Sequence, residues 1–191
     1  MKACFKTIIL TAVFGIPAAL FSADNLILNP SFEQMDPAGR LPLHWTTLQT
    51  GIDGSFHSVA EKEAVSGTRA AQLECRNPAL NIRNYVLWKQ DHVQRMFKDI
   101  APGTEMEFSV MVKAEPGVKF HVYLEMMGQK NEYFGYAGKV FTAKSGNWEK
   151  YSIPFKMPEQ NAKNAYVCLQ LVSPGKISFD DVCLKRSGEK K

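Results

Sequence analysis

The chain has 191 residues, 45% hydrophobic and 22% charged, with 13 Gly and 10 Pro. These shares are typical of a soluble globular protein and exclude collagen, a coiled coil and a disordered chain, while the length predicts one domain. A formal net charge of +4 is too small to indicate the clustered basic face of a nucleic-acid-binding protein.

The first 23 residues have the pattern of a secretory signal peptide. Lys2 and Lys6 precede an apolar stretch at 7–21, and small residues end the segment at Ala23. The apolar stretch is shorter than the roughly 20 residues that a membrane-spanning helix needs. We therefore expect cleavage near Ala23, no membrane span, and a secreted or periplasmic protein.

Apolar and polar residues alternate with a period of two along the rest of the chain, which predicts β-strands. The alternation is clearest at 105–113, 119–127 and 166–172, and shorter runs predict strands at 26–28, 56–61, 70–75, 92–97, 139–142, 149–155 and 176–184. The segment 80–98 has irregular polarity and is also compatible with a short helix. About nine or ten short strands predict one antiparallel β-sandwich at 24–185, followed by a charged tail at 186–191.

Three cysteines remain after cleavage, namely Cys75, Cys168 and Cys183. An odd number allows at most one internal disulfide, and the sequence leaves open whether any forms. Because all three lie in apolar runs, we favour buried small side chains.

Three segments carry a resemblance to a known family. They are NLILNPSFE at 25–33, followed by Gly39, Pro42 and Trp45, then SGTRAAQL at 66–73 and ISFDDVCL at 177–184. In this order they resemble the jelly-roll carbohydrate-binding modules of families four, nine and twenty-two, which have a galactose-binding-domain-like fold. The resemblance implies an all-β, antiparallel jelly-roll sandwich that binds carbohydrate without catalysis, with a separate glycoside hydrolase as a candidate partner.

The resemblance also implies a structural calcium ion. Glu33 and Asp180 would supply carboxylate oxygens, and backbone carbonyls near Ser31 and at 63–66 would complete the oxygen shell that Ca²⁺ prefers. Asp181 is the second choice for a ligand. In the alternative interpretation, Glu33 and Asp180 only accept hydrogen bonds from backbone amides.

A sugar-binding surface needs an aromatic platform with polar groups beside it. Alternation puts His121, Tyr123 and Glu125 on one outward strand face and Gln170 outward on another strand. The segment 81–90 and the loop after Gly128 would add rim residues, so the candidate sugar-binding residues are Arg83, Tyr85, Trp88, His121, Tyr123, Glu125, Tyr136 and Gln170. The preferred stacking platforms are Trp88, Tyr123 and Tyr136.

Two other classes of function remain open. The sequence contains none of the common catalytic motifs, and its four histidines lack metal-ligand spacing. Nevertheless, His121 and Tyr123 on one strand face could act as the base and acid of a polysaccharide lyase, and Glu125 with Glu132 could serve a glycoside hydrolase. The other class is a structural or protein-interaction β-sandwich.

Overall fold

The computed structural model of the protein describes residues 25–90, 97 and 99–188. The predicted signal peptide and most of the predicted strand at 92–97 lie outside the described residues. All regular secondary structure within the described ranges is β-strand. The ten strands are β1 (Thr46–Thr50), β2 (Ser55–Glu61), β3 (Arg69–Cys75), β4 (Tyr85–Gln90), β5 (Glu105–Ala114), β6 (Lys119–Met127), β7 (Tyr133–Thr142), β8 (Glu149–Lys156), β9 (Asn164–Leu171) and β10 (Gly175–Arg186).

The strands form two five-stranded sheets. Sheet one has the order β1-β4-β9-β6-β7, sheet two has the order β2-β3-β10-β5-β8, and every described pair of neighbours is antiparallel. Each sheet turns one face toward a shared apolar layer. The predicted all-β antiparallel jelly-roll sandwich is confirmed.

The shared core follows from the alternation that the sequence analysis used. Alternate residues of β5 and β6 are buried, and they meet alternate residues of β9 and β10 in one cluster. The largest fully buried side chains of this cluster are aromatic: Trp45, Trp88, Phe32, Phe97, Phe108, Phe120 and Phe179. A core of this size needs no disulfide for stability, and Cys75, Cys168 and Cys183 form no disulfide with one another.

Several strand boundaries differ from the predicted ones. Strands β1 and β4 were not predicted, and β7 begins at Tyr133 rather than at 139. The segment 26–28 is not a strand, although the backbone N–H of Leu26 donates to the carbonyl oxygen of Leu184 at 2.9 Å. Among the described residues, no helix is long and apolar enough to span a membrane.

The two ends of the described chain lie side by side. The side chain of Asn25 donates to the carbonyl oxygen of Val182 and accepts from the backbone N–H of Leu184, each at 3.0 Å. The N–H of Val182 donates to the carbonyl oxygen of Pro30, also at 3.0 Å. These bonds attach the first residues after the predicted cleavage site to the last strand.

Trp88 belongs to the core rather than to the outer surface. Its side chain is fully buried, and its indole N–H donates to the backbone carbonyl of Gln72 in sheet two at 3.1 Å. The expectation of an exposed Trp88 at the rim of a ligand surface is therefore wrong. Val86 and Trp88 both face the core, so Leu87 between them faces outward.

We expect Trp88→Ala to lower the free energy of unfolding by about 3–5 kcal/mol, because it removes a large ring from the core. Chemical denaturation followed by far-ultraviolet circular dichroism measures this change. Tyr133→Ala, on a side chain 62% exposed, is the surface control and should change it by less than about 0.5 kcal/mol. A Trp88→Ala variant as stable as the wild type would contradict the burial of this ring.

Candidate functional site

The outer face of sheet one carries a continuous group of polar and aromatic side chains. Alternation along β6 directs His121, Tyr123 and Glu125 away from the core, because the residues between them are buried in it. Gln170 of β9 lies opposite His121, and Tyr136 of β7 lies opposite Glu125. Three neighbouring strands therefore bring these side chains to one surface.

His121, Tyr123 and Tyr136 form an aromatic cluster on this face. The rings of His121 and Tyr123 are stacked, with centroids 4.5 Å apart and planes at 27°. The ring of Tyr136 is 5.9 Å from that of Tyr123 and 6.0 Å from that of His121. Because 46% of Tyr136 is exposed and His121 is buried, the cluster has one solvent-facing side and one anchored side.

Gly138 provides the space in which the ring of Tyr136 lies. It is the direct strand partner of Tyr123. A Cβ atom at position 138 would overlap the phenol oxygen of Tyr136 and would lie 2.5 Å from the Cβ of Tyr123. Any other residue would therefore push Tyr136 away from the cluster.

A chain of hydrogen bonds fixes the cluster from below. The side-chain amide of Gln170 donates to the carbonyl oxygen of Ile82 at 3.2 Å, and its oxygen lies 3.2 Å from Nδ1 of His121. An amide oxygen only accepts, so Nδ1 carries the imidazole proton and Nε2 is an acceptor. The hydroxyl of Tyr136 then donates to Nε2 of His121.

The electrostatics of the cluster keep its members uncharged. Burial lowers the pKa of His121 below its ordinary value of 6.5, and the hydrogen bond with Gln170 opposes this shift only in part. Burial also raises the pKa of Tyr123 and that of Tyr136, so both phenols keep their protons at neutral pH. The cluster thus offers neutral rings and hydroxyl groups to a ligand.

Charged groups lie on the same face beside the cluster. Glu125 is half-buried and stands between its strand partners Tyr166 and Tyr136. The Nζ atom of Lys89 lies 4.1 Å from the centre of the Tyr166 ring. An acceptor and a donor for hydroxyl groups therefore flank the aromatic surface.

The structure brings together six of the eight predicted sugar-binding residues. They lie on the outer face of sheet one, and they are Tyr85, His121, Tyr123, Glu125, Tyr136 and Gln170. Arg83 is exposed in the turn that precedes β4, at the edge of this face. Trp88 faces the core and is the exception.

Sequence reasoning missed other residues of this face. Tyr166 and Lys89 were not predicted, and neither was Gly138, which forms the space for Tyr136. Tyr166 follows from the same alternation that identified Gln170. Gly138 left no signal of its own, because its importance depends on which ring lies above it.

The geometry of His121 does not favour the lyase alternative. A histidine that removes a proton from a substrate needs a free nitrogen within reach of that substrate. Nε2 of His121 accepts from Tyr136, Nδ1 is bonded to Gln170, and the residue is only 7% exposed. Both nitrogens are thus committed to the hydrogen-bond chain.

The predicted calcium ligands lie at sheet two, around the loop at 65–69. Oδ2 of Asp180 accepts from the backbone N–H groups of Val65 and Ser66 at 2.7 and 3.0 Å. Oε1 of Glu33 accepts from those of Thr68 and Arg69, each at 2.7 Å. These bonds match the alternative in which the two carboxylates serve backbone amides.

The donor set still has the oxygen chemistry that Ca²⁺ prefers. Oδ1 of Asp180 accepts one bond, from the N–H of Asp181, and Oε2 of Glu33 accepts one, from the hydroxyl of Thr68. Within the part of the chain that the structure describes, no group of three or more His, Cys, Asp or Glu side chains could hold a metal. A shell would therefore need carbonyl oxygens, such as those predicted near Ser31, which is itself buried.

Burial raises the pKa of Asp180 to about 6, against the opposing effect of the N–H groups of Ser66, Asp181 and Val65. The backbone at Gly67 has a φ of +67°, and a Cβ atom there would lie 2.5 Å from Oε1 of Glu33. This loop therefore requires glycine where Glu33 approaches it.

The chain matches one family model, described as a carbohydrate binding domain, over residues 24–175. The match covers more than half of the chain and includes every strand from β1 to β9. No curated protein sequence matches it.

Solved structures with a similar fold include three from different settings. The enzymatically active domain of tailspike protein 4 of bacteriophage CBA120 has a TM-score of 0.63 and 17% identity, over 85% of this chain and 21% of that one. The C-terminal family 22 carbohydrate-binding module of Clostridium thermocellum Xyn10B has a TM-score of 0.57 and 15% identity, over 88% of this chain and 99% of that one. TmCBM61, solved in complex with β-1,4-galactotriose, has a TM-score of 0.56 and 16% identity, over 85% of this chain and 99% of that one.

These likenesses support the fold alone, because all the identities are low. This chain spans about a fifth of the tailspike domain and nearly all of the two modules.

We expect His121 to titrate below pH 6.5, because burial disfavours its charged form. NMR titration of the histidine ring protons measures this pKa, and His121→Gln assigns the signal by removing it. His121 binds a proton more readily in the unfolded chain than in the folded one. The contribution of neutral, buried His121 to stability is therefore present above pH 6.5 and is lost as the pH falls below that value. A measured pKa at or above 6.5 would contradict the burial of the ring.

Proposed function

The chain belongs to the carbohydrate binding domain family whose model it matches, and from that premise we propose that it binds a poly- or oligosaccharide on the outer face of sheet one. The protein is a carbohydrate-binding module, and its family is defined by binding rather than by catalysis. The observation that carries the proposed location is the aromatic cluster of His121, Tyr123 and Tyr136, which is partly exposed and anchored by hydrogen bonds.

Stacking on the cluster would supply most of the affinity. A sugar ring presents apolar C–H groups on its faces and hydroxyl groups around its edge, so an aromatic ring can cover one face without displacing hydroxyl hydration. Tyr136 is the most exposed ring of the cluster, and Tyr123 lies beside it. The hydrogen bond to His121 holds Tyr136 in place before a ligand arrives, which reduces the entropy lost on binding.

Polar groups around the cluster would select the arrangement of hydroxyl groups. Glu125 is an acceptor between two tyrosines, and Arg83 is a multiple donor at the edge of the face. Gln170 has a different role from the predicted one, which was contact with the sugar. Both ends of its buried amide are already bonded, so it positions His121 rather than contacting sugar.

The setting of this activity is also part of the proposal. The charge and apolar pattern of residues 1–23 supports export to a secreted or periplasmic location. A separate glycoside hydrolase acting on the same polysaccharide is the proposed partner. Sequencing the N-terminus of the exported protein tests the first point, and a mature chain beginning near Asp24 is the expected result.

Calcium at the 65–69 loop is a proposal as well. One support is that the donor set consists of oxygen atoms. The other is the free-energy cost of burying the Asp180 carboxylate, because no Lys or Arg within 25–90, 97 and 99–188 forms an ion pair with it. Bound calcium would offset that cost and would hold the loop to β10. It would stabilise the fold and take no part in sugar contacts, because it belongs to sheet two.

We expect Tyr123→Ala and Tyr136→Ala each to weaken polysaccharide binding by at least about tenfold, because each removes a stacking ring. Affinity electrophoresis against a panel of soluble polysaccharides identifies a ligand, and isothermal titration calorimetry then measures its Kd.

Phe56→Ala is the matched control for these two variants. Phe56 is an aromatic side chain 69% exposed on β2, in the opposite sheet. Binding should be unchanged in this variant. Equal losses in all three variants, or a loss only in Phe56→Ala, would reject the outer face of sheet one as the binding surface.

For calcium, we expect EDTA to lower the Tm of protein purified with Ca²⁺ by about 5–10 °C, because a ligand at a hundredfold excess over its Kd adds about 2.7 kcal/mol. Adding Ca²⁺ back should restore the Tm, and Mg²⁺ at the same concentration should not. Asp180→Asn should abolish the difference. If neither EDTA nor Ca²⁺ changes the Tm, the calcium proposal is wrong, and Glu33 and Asp180 only accept hydrogen bonds from backbone amides.

A further inference from the structure

Several exposed hydrophobic side chains lie on the face that holds the aromatic cluster. Of the nine large hydrophobic side chains exposed in the described residues, five lie on the outer face of sheet one or in the turn before β4. Three of these are aliphatic: Leu48 is 43% exposed, Ile82 is 53% exposed and Val140 is 43% exposed. Single exposed hydrophobic residues are common on protein surfaces, but these three share the face that carries the aromatic cluster, where a ligand would meet them.

Their positions follow the register of the sheet. Leu48 and Val140 are the two ends of one row across the five strands, which we call the uncharged row: Leu48, Leu87, Gln170, His121 and Val140. Ile82 is tied to the middle of this row, because its carbonyl accepts from Gln170. Lys89 lies in the next outward row and Glu125 in the row after that, both on the side away from Tyr85.

This arrangement is poorly suited to a ligand that carries only hydroxyl groups. A hydroxyl placed against an aliphatic side chain loses water and gains no hydrogen bond, which weakens binding. A methyl group in the same place gains from the removal of apolar surface from water. The rows with Lys89 and Glu125 remain suited to hydroxyl groups.

We propose that the preferred ligand is a polysaccharide whose rings carry methyl groups, as O-acetyl esters or as 6-deoxy sugars, and that these methyl groups contact Leu48, Ile82 and Val140. This inference rests on the proposed binding face and adds the chemical class of the ligand. The uncharged row crosses four strand intervals, about 19 Å, so the ligand would span several sugar rings. Its rings lie on the aromatic cluster, and its hydroxyl-rich edge faces Lys89 and Glu125.

Matched ligand pairs test the proposal by isothermal titration calorimetry. One pair is acetylated xylan and the same xylan after alkaline deacetylation. The other pair is a xyloglucan oligosaccharide with fucose and the same oligosaccharide without it. Each buried methyl group should tighten binding by about fourfold in at least one pair, and the pair that responds distinguishes an ester from a deoxy sugar.

Two conservative variants identify the side chains responsible. Val140→Thr keeps the shape of the side chain, Leu48→Asn keeps the number and branching of its heavy atoms, and both sites are exposed on edge strands. Each variant should reduce the preference for the methyl-bearing partner, measured as the ratio of the two Kd values in each pair. Tyr123→Ala should weaken both partners equally.

The outcomes separate this inference from the binding face itself. If both members of each pair bind with the same Kd, and Tyr123→Ala weakens them, the ligand class is wrong and the binding face stands. If the methyl preference survives in Val140→Thr and Leu48→Asn, the methyl groups contact other residues and the inference is overturned. If Tyr123→Ala has no effect on any ligand, the binding face and the inference fail together.

Discussion

A single buried amide organises the outer face of sheet one. Gln170 is 2% exposed, and an amide in that position must satisfy both its donor and its acceptor within the protein. It donates to Ile82 and accepts from His121, which determines the nitrogen of His121 that carries the proton. The other nitrogen can then only accept, and Tyr136 meets that requirement. The orientation of the exposed Tyr136 ring therefore depends on the hydrogen bond between Gln170 and His121.

The closure of the fold and the binding face belong to different sheets. Asn25 and Pro30 bond to β10, and Glu33 with Asp180 holds the 65–69 loop, all on the side of sheet two. The aromatic cluster lies on the outer face of sheet one, on the far side of the shared apolar layer. Hydrogen bonds of Trp88 with Gln72 and of Gln90 with Leu28 also link sheet one to the side of sheet two, and none of these residues belongs to the cluster. A change at the loop should therefore alter the free energy of unfolding without altering the shape of the sugar-binding surface. Stability and affinity can be measured as separate properties of this molecule.

The parts that could be predicted from sequence are those with a clear period of two. Apolar and polar residues alternate in the sequences of β6 and β9, so the face on which His121, Tyr123 and Gln170 lie was predictable, although His121 and Gln170 are buried there. Strand β4 does not alternate, because Val86, Leu87 and Trp88 are all apolar and all buried. The sequence therefore does not indicate which residues of β4 face the core, and the prediction put Trp88 on the wrong face. Pairing with β9 determines the phase, and a single sequence does not contain that pairing.

Strand β7 illustrates a different limit. Gly135, Ala137 and Gly138 give it little contrast between its two faces, so most of it resembled a loop. The small residues are nevertheless what the site needs, since Gly138 leaves the space that the Tyr136 ring occupies. A hydrophobic pattern reports which side chains are buried and is silent about where a side chain must be absent. For that reason the residues of the cluster were predictable and the glycine that positions them was not.

The position of each strand in sheet one explains the shape of the binding surface. Strands β4, β9 and β6 have neighbours on both sides, and their outward residues Leu87, Gln170 and His121 are nearly inaccessible. Leu48 and Val140, on the edge strands β1 and β7, are open to solvent. Central strands thus supply a buried floor together with the partly exposed Tyr123 and Glu125, while edge strands and the turn before β4 supply the most exposed groups that a ligand can touch. Substitutions at the edges can change which sugar is preferred without disturbing the floor, and that separation makes ligand preference adjustable on a fixed fold.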